Sequence, residues 1–150
     1  MSIKVVLLLG GNIGGVEAVG RRLDGAVQLI GERIGEVLNS SSKRVSEAWG
    51  FNAEELFVNQ AVEVLTTLDP EGLLDATQGI EVDMGRSREA ESRDRDESGE
   101  RYASRMIDID IILYGDQEYR SDRLIIPHPL MMEREFVLEP MRELGVEYVR

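Results

Sequence analysis

Along these 150 residues the readable elements run strand, helix, strand, strand, helix, strand. That order predicts an α+β fold of the split βαβ, ferredoxin-like plan: a βαββαβ core with one antiparallel sheet, helices packed on it, and C-terminal additions. Two observations carry the prediction. Apolar residues alternate between continuous or period-2 runs and steps of three and four, and glycine or proline marks most of the changes. A chain of this length is read as a single domain, 1–150, able to bury a sizeable core.

Ile3 to Leu9 is apolar and rich in branched residues, and reads as a buried first strand. Gly10 to Gly15 reads as a tight turn. Such a turn can cradle phosphate on backbone N–H groups or simply supply positive φ, and it matches neither a dinucleotide fingerprint nor a P-loop. Val16, Val19, Leu23, Val27, Ile30 and Ile34 recur at helical spacing, closed by Gly35. Val37 to about Glu47 reads as a polar strand, and Phe57 to Thr67 as a clearer one with Phe57, Asn59 and Ala61 on one face. Asp69-Pro70 starts a second helix, with a capping side chain and then proline at the first helical position, and Gly85 ends it after Met84.

Arg86 to Glu100 mixes charges of both signs without apolar periodicity, and is expected to be a mobile, solvated loop or lid. A further strand follows, then a turn at Gly115-Asp116, a short apolar segment at Leu124 to Ile126, the Pro127-His128-Pro129 break, and a last helix over roughly Glu133 to Leu138.

The strand after the charged loop carries the chemistry. With period-2 geometry from Met106, Ile107, Ile109, Ile111 and Leu113 share a core face, while Met106, Asp108, Asp110, Ile112 and Tyr114 share the other. Asp108 and Asp110 then lie roughly 6.5–7 Å apart at Cα, close enough to repel unless a cation or hydrogen bonds intervene. Mg²⁺ suits such a pair, since it binds through one or two carboxylates and completes its shell with water and phosphate oxygens. A pair of metals about 3.5–4 Å apart is also compatible. The other reading is a half-buried strand with a solvated acidic face, and the spacing alone does not choose.

Net charge −12 opposes general binding to nucleic acid or anionic membranes, though local arginines can still hold an anionic substrate. The chain has no cysteine, which excludes disulfide and thiolate chemistry. The apolar run Val5 to Leu9 is too short for a signal-peptide core or a membrane span, so a cytoplasmic protein is expected.

Several stretches together resemble one family. R-x-A-S-R-x-x-D-I-D-I-I (Arg101 to Ile112) is similar to the signature of the 6-hydroxymethyl-7,8-dihydropterin pyrophosphokinases, enzymes of the folate pathway. LLLGGNIGG, WGF, LFVNQAVEVLTTLDPEGLL, TQGIEVDMGRSR and LIIPHPLMMEREFVLEP accompany it in order, so the resemblance spans about residues 5 to 145.

The resemblance implies transfer of the β,γ-pyrophosphoryl group of ATP to the pterin hydroxymethyl group, with release of AMP. It implies two Mg²⁺ on Asp108 and Asp110, and catalytic arginines Arg86, Arg88 and Arg105. ATP would be met by Gln78, Glu81, Arg88, Arg105, Ile111, Arg123, His128 and Arg134. The pterin would be met by Asn59, by Phe57 and Phe136 as stacking rings, and by Ser46, Trp49 and Tyr102. A monomer with no nucleic-acid or membrane partner is expected.

The sequence departs from the family pattern at Gly11, Gly15, Arg44, Glu47 and Tyr102, and its charged loop is long. Two other classes compete. A non-catalytic ligand-binding module would not need Arg105, His128 and Arg134 together, and an RNA-binding module on the same fold would want a basic sheet with exposed aromatics.

Overall fold

The computed structural model describes residues 1–46, 57–85, 106–128 and 134–146. Four strands form an antiparallel sheet: β1 (Ile3–Gly11), β2 (Gly35–Ser40), β4 (Phe57–Thr66) and β5 (Asp108–Tyr114), in the order β2-β4-β1-β5. A short strand, β3 (Arg44–Ser46), extends the β2 side and also pairs with β4. Two helices, α1 (Val16–Arg33) and α2 (Pro70–Asp83), supply the crossovers of the ferredoxin-like plan. The additions are a two-stranded ribbon, β6 (Tyr119–Arg120) with β7 (Ile125–Ile126), and helix α3 (Glu135–Glu143).

The continuous apolar run of β1 is explained by cover on both faces. Val5, Leu7 and Leu9 face Val19, Leu23, Ala26 and Ile30 of α1 and Leu73 and Ile80 of α2, all fully buried. Val6 and Leu8 face the other way, toward Val137 and Met141 of α3, with Ala61, Ile112 and Leu113. Truncating Leu23 or Ile30 to alanine costs about 2–5 kcal/mol in sites of this kind.

Several boundaries differ from the sequence reading. The first strand continues through Gly11, and within the glycine run only Gly14 and Gly15 take positive φ, at 96° and 92°. Val16 lies off the buried stripe of α1 and is largely exposed. Gly35 does not act as a left-handed helix cap. It opens β2 at a point where a Cβ would sit 2.0 Å from the Leu65 carbonyl oxygen, so close backbone approach demands glycine there. The single polar strand expected over 37–47 is two strands, β2 and β3, separated at Ser41 to Lys43; position 47 lies outside the described residues. The last helix extends past Leu138 to Glu143 with Pro140 inside it, because Val137, Pro140 and Met141 bury one face.

The largest difference is in β5. Leu7 pairs with Ile111, yet Val6 pairs with Leu113, so Ile112 is an inserted residue that bulges the strand. Side-chain direction therefore reverses beyond it. Leu113 leaves the helix-side core and joins the α3 cluster, while Tyr114 turns to the helix side and donates its hydroxyl to Leu68 C=O at 2.6 Å. A strict period of two had placed both on the opposite faces.

Candidate active site

Helix α3 packs on the face of the sheet turned away from α1 and α2. Cross-strand pairing runs one row over it: Arg44 on β3, Asn59 on β4, Gly10 on β1 and Asp108 on β5. Directly paired residues share a face, so Asn59 and Asp108 flank the bare backbone of Gly10 across two strand spacings, about 10 Å. The next row is Ala61, Leu8 and Asp110. The result is a slot with an amide on one wall, two carboxylates on the other and an apolar floor.

Asn59 is 93% buried, its relative exposure being 7%. Its Nδ2 donates to Ser46 Oγ at 3.2 Å, and its Oδ1 lies over Gly10, 2.6 Å from where a Cβ on that glycine would stand. Two side chains expected beside the pterin, Ser46 and Asn59, are thus brought together. Phe57 pairs in register with Ser46 and is half-buried on the same face as Asn59. Phe136, near the start of α3, packs half-buried against the apolar cluster on that face.

On the far side, β5 is the edge strand. Glu81 of α2, 3% exposed, accepts the Ile109 backbone N–H on Oε2 at 2.8 Å, which pins the strand between its two aspartates. The Ile111 side chain is buried in the helix-side core.

The His128 backbone N–H donates to Ile112 C=O at 3.4 Å, seating this residue beside the bulge. Burial pushes its imidazole below the ordinary histidine value, while the nearby Asp108 charge pulls less strongly upward. Arg123 is held by Asp75 at 2.6 Å and Glu71 at 3.3 Å, with Gln78 Oε1 at 3.5 Å, clamping the β6–β7 ribbon to α2. Arg134 is the N-cap residue of α3. Trp49, Arg86, Arg88, Tyr102 and Arg105, and with them the loop expected over 86–100, lie outside the described residues.

Asp108 and Asp110 are half-buried, which leaves them able to meet a cation and water. Among the described residues no group of three or more His, Asp or Glu could cage a metal. A pair of hard oxygen donors at an open edge fits Mg²⁺, which takes the rest of its shell from water and phosphate.

Two residues escaped the sequence reading. Gly10 appeared as part of a turn, and only the pairing of β1 with β4 reveals it as the gap that admits Asn59. Arg22 belongs to no motif and lies on α1. Its Nη1 donates to Ile13 C=O at 3.0 Å and to Met106 C=O at 2.8 Å, tying the β1–α1 turn to the residue two before Asp108. Its neighbours in sequence carry no signal of this, since the second acceptor is 84 positions away.

The arrangement defines a ferredoxin-like α+β domain with a pair of carboxylates at one edge of its sheet. Solved structures agree on the fold. The chain superposes on an HPPK-DHPS protein described in complex with substrates, with a TM-score of 0.67 at 15% identity, covering 96% of this chain and 40% of that one. It also superposes on the wild-type Plasmodium falciparum HPPK-DHPS with pterin and p-hydroxybenzoate, with a TM-score of 0.68 at 16% identity, covering 95% and 38%. The chain therefore spans about two fifths of the length of these bifunctional proteins.

The model of the 7,8-dihydro-6-hydroxymethylpterin-pyrophosphokinase (HPPK) family matches residues 6–146, and the chain belongs to that family. It is 37% identical over 139 residues to the 2-amino-4-hydroxy-6-hydroxymethyldihydropteridine pyrophosphokinase of Bacillus subtilis, covering 92% of this chain and 75% of that protein. The protein of the same name from Methylorubrum extorquens is 35% identical over 147 residues, covering 97% and 85%. Among the described residues, no helix is long and apolar enough to cross a membrane.

Proposed function

We propose that this chain, as a single domain, transfers the β,γ-pyrophosphoryl group of ATP to the hydroxymethyl oxygen of 6-hydroxymethyl-7,8-dihydropterin. The new bond forms between that oxygen and the β-phosphorus. The bond from the β-phosphorus to the bridging oxygen of AMP breaks, and the hydroxyl proton is lost. The observation that most supports this reading is the row Asn59, Gly10, Asp108, with Glu81 and His128 beyond it. Its amide would suit the pterin edge, its carboxylate pair the metal, and the residues beyond it the ATP, across one slot.

In this reading Asn59 and Ser46 bind the pterin edge, Phe57 and Phe136 stack on its ring, and Trp49 and Tyr102 close the pocket. Gln78, Glu81, Ile111, Arg123, His128 and Arg134 receive ATP, with Arg86, Arg88 and Arg105 on the phosphates. Asp108 and Asp110 would hold two Mg²⁺, which would supply neutralisation of phosphate charge. The protein's own part is orientation, because such transfers depend mainly on placing the hydroxyl in line with the leaving oxygen. His128 can offer a ring N–H to a phosphate oxygen. The reading includes a monomeric, cytoplasmic protein.

The test is incubation with ATP, the hydroxymethyl dihydropterin and Mg²⁺, followed by product analysis. AMP and pterin diphosphate are expected in equal amounts. ADP as the nucleotide product, or turnover without the pterin, would refute the assignment.

A further inference from the structure

We infer that Arg44 is a positioning residue that sets the spacing between α3 and the β3–β4 side of the slot, and through it the affinity for the pterin. This rests on the pterin reading above. Arg44 is the direct cross-strand partner of Asn59, so its side chain leaves the sheet on the slot face. Its guanidinium donates to Glu143 Oε1 at 2.9 Å and to Glu139 Oε2 at 3.4 Å, both on α3. Glu143 also accepts the backbone N–H of Ser42 and its hydroxyl, the latter at 2.7 Å.

Ser42 is itself rigidly based. The preceding residue, Ser41, is buried, donates its N–H to Ala61 C=O at 2.9 Å and accepts the Ala61 N–H on Oγ at 3.0 Å. Its carbonyl accepts Gln60 Nε2 at 2.9 Å. The polar contacts therefore run unbroken from β4, the strand that carries Asn59, to the last turn of α3.

Phe136, Glu139 and Glu143 stand at i, i+3 and i+7 and so share one stripe of the helix. Whatever holds the two glutamates also sets the rotation and height of Phe136 over the slot. The apolar contacts of Val137 and Met141 hold α3 to the sheet but resist sliding only weakly, because they are non-directional. The ion pairs supply the direction. They are partly exposed, so they add little to global stability and are weakened by salt.

The test is calorimetric titration of 6-hydroxymethyl-7,8-dihydropterin, with Mg²⁺ and a non-hydrolysable ATP analogue present, at low and high salt. The pterin is uncharged, and with Mg²⁺ and the analogue kept saturating at both salts, salt reaches its affinity chiefly through the protein's ion pairs. For wild type, affinity is expected to fall as salt rises. Arg44→Met is expected to weaken pterin binding about three- to tenfold and to abolish the salt dependence, as losing a small ion-pair network does. The affinity for the ATP analogue is expected to fall less than that for the pterin, because on α3 only Arg134, at its N-cap, belongs to the nucleotide side. Arg44→Lys, which keeps the charge, is expected to stay nearer wild type than Arg44→Met.

Arg44→Met binding the pterin like wild type, with the same salt dependence, would overturn the inference. So would equal weakening of both ligands, which marks a general structural role. Wild type that binds no pterin would instead refute the underlying functional reading, before any variant is compared.

Discussion

A Cβ on Gly10 would lie 2.6 Å from Asn59 Oδ1, so the slot exists because β1 carries no side chain at that position. Gly10→Ala is expected to push the Asn59 amide off its place beside Ser46. Overpacking of this kind costs about 1–3 kcal/mol of stability. Pterin affinity is expected to fall about tenfold or more, since the displaced amide leaves a substrate polar group unmatched. Urea unfolding and pterin titration check the two effects separately. Unchanged pterin affinity in a folded Gly10→Ala protein would mean that Asn59 does not meet the pterin.

Asp108→Asn and Asp110→Asn are each expected to lower turnover by on the order of 10²–10³-fold while leaving the fold intact. Their carboxylates share one half-buried strand face, and asparagine keeps the size and shape of each side chain. Steady-state rates at saturating Mg²⁺, with circular dichroism as the control, decide it. A near wild-type rate in either variant would remove that residue from the metal site.

Glu81 and Ile109 form the tie that holds the acidic strand at its open edge. Glu81→Ala leaves the Ile109 N–H unpaired in a buried setting, at a cost of about 1–3 kcal/mol. Glu81→Gln keeps an acceptor oxygen and is expected to lose less. Chemical denaturation of the two variants gives the comparison, and equal losses would show that this hydrogen bond is not the source of the stabilisation.

Arg22 holds Met106 two residues ahead of Asp108 without facing the slot chemistry itself. Groups that orient a metal-binding element typically cost 10–100-fold when removed, so Arg22→Met is expected to lower turnover by about that factor. The Mg²⁺ concentration giving half-maximal rate is expected to rise as well. A variant with slower turnover but an unchanged Mg²⁺ requirement would leave Arg22 with a purely structural role.

Glu143 gives the protein a specific acid sensitivity. Hydrogen bonds from Ser42, then the Arg44 guanidinium, hold its carboxyl below the usual carboxylate value. A depressed folded-state value means that this contribution to stability is fully present above the unfolded value and is lost as pH falls through the folded one. Glu143→Gln is expected to unfold with a shallower dependence on pH across that acid window and to match wild type in slope at neutral pH. Thermal melts between pH 3 and pH 7, values chosen to span roughly the carboxylate range, measure it. Parallel curves would show that Glu143 is not a contributor.

How much of this was legible in the chain depends on the range of the interaction. Helix and strand periodicity is local, so the order of elements, the Asp69 cap with Pro70, and the presence of Asp108 and Asp110 on one face could be read directly from neighbouring residues. The reversal of Leu113 and Tyr114 could not. It follows from one inserted residue in the pairing of β5 with β1, and nothing in IDIILY marks Ile112 as that residue. Gly10 became the gap that admits Asn59 only when β4 paired beside it. Arg22 and Arg44 gained their roles from partners 84 to 99 positions distant. Register between strands and the landing points of long side chains are set by packing of the whole sheet, because each depends on two segments that meet only after folding.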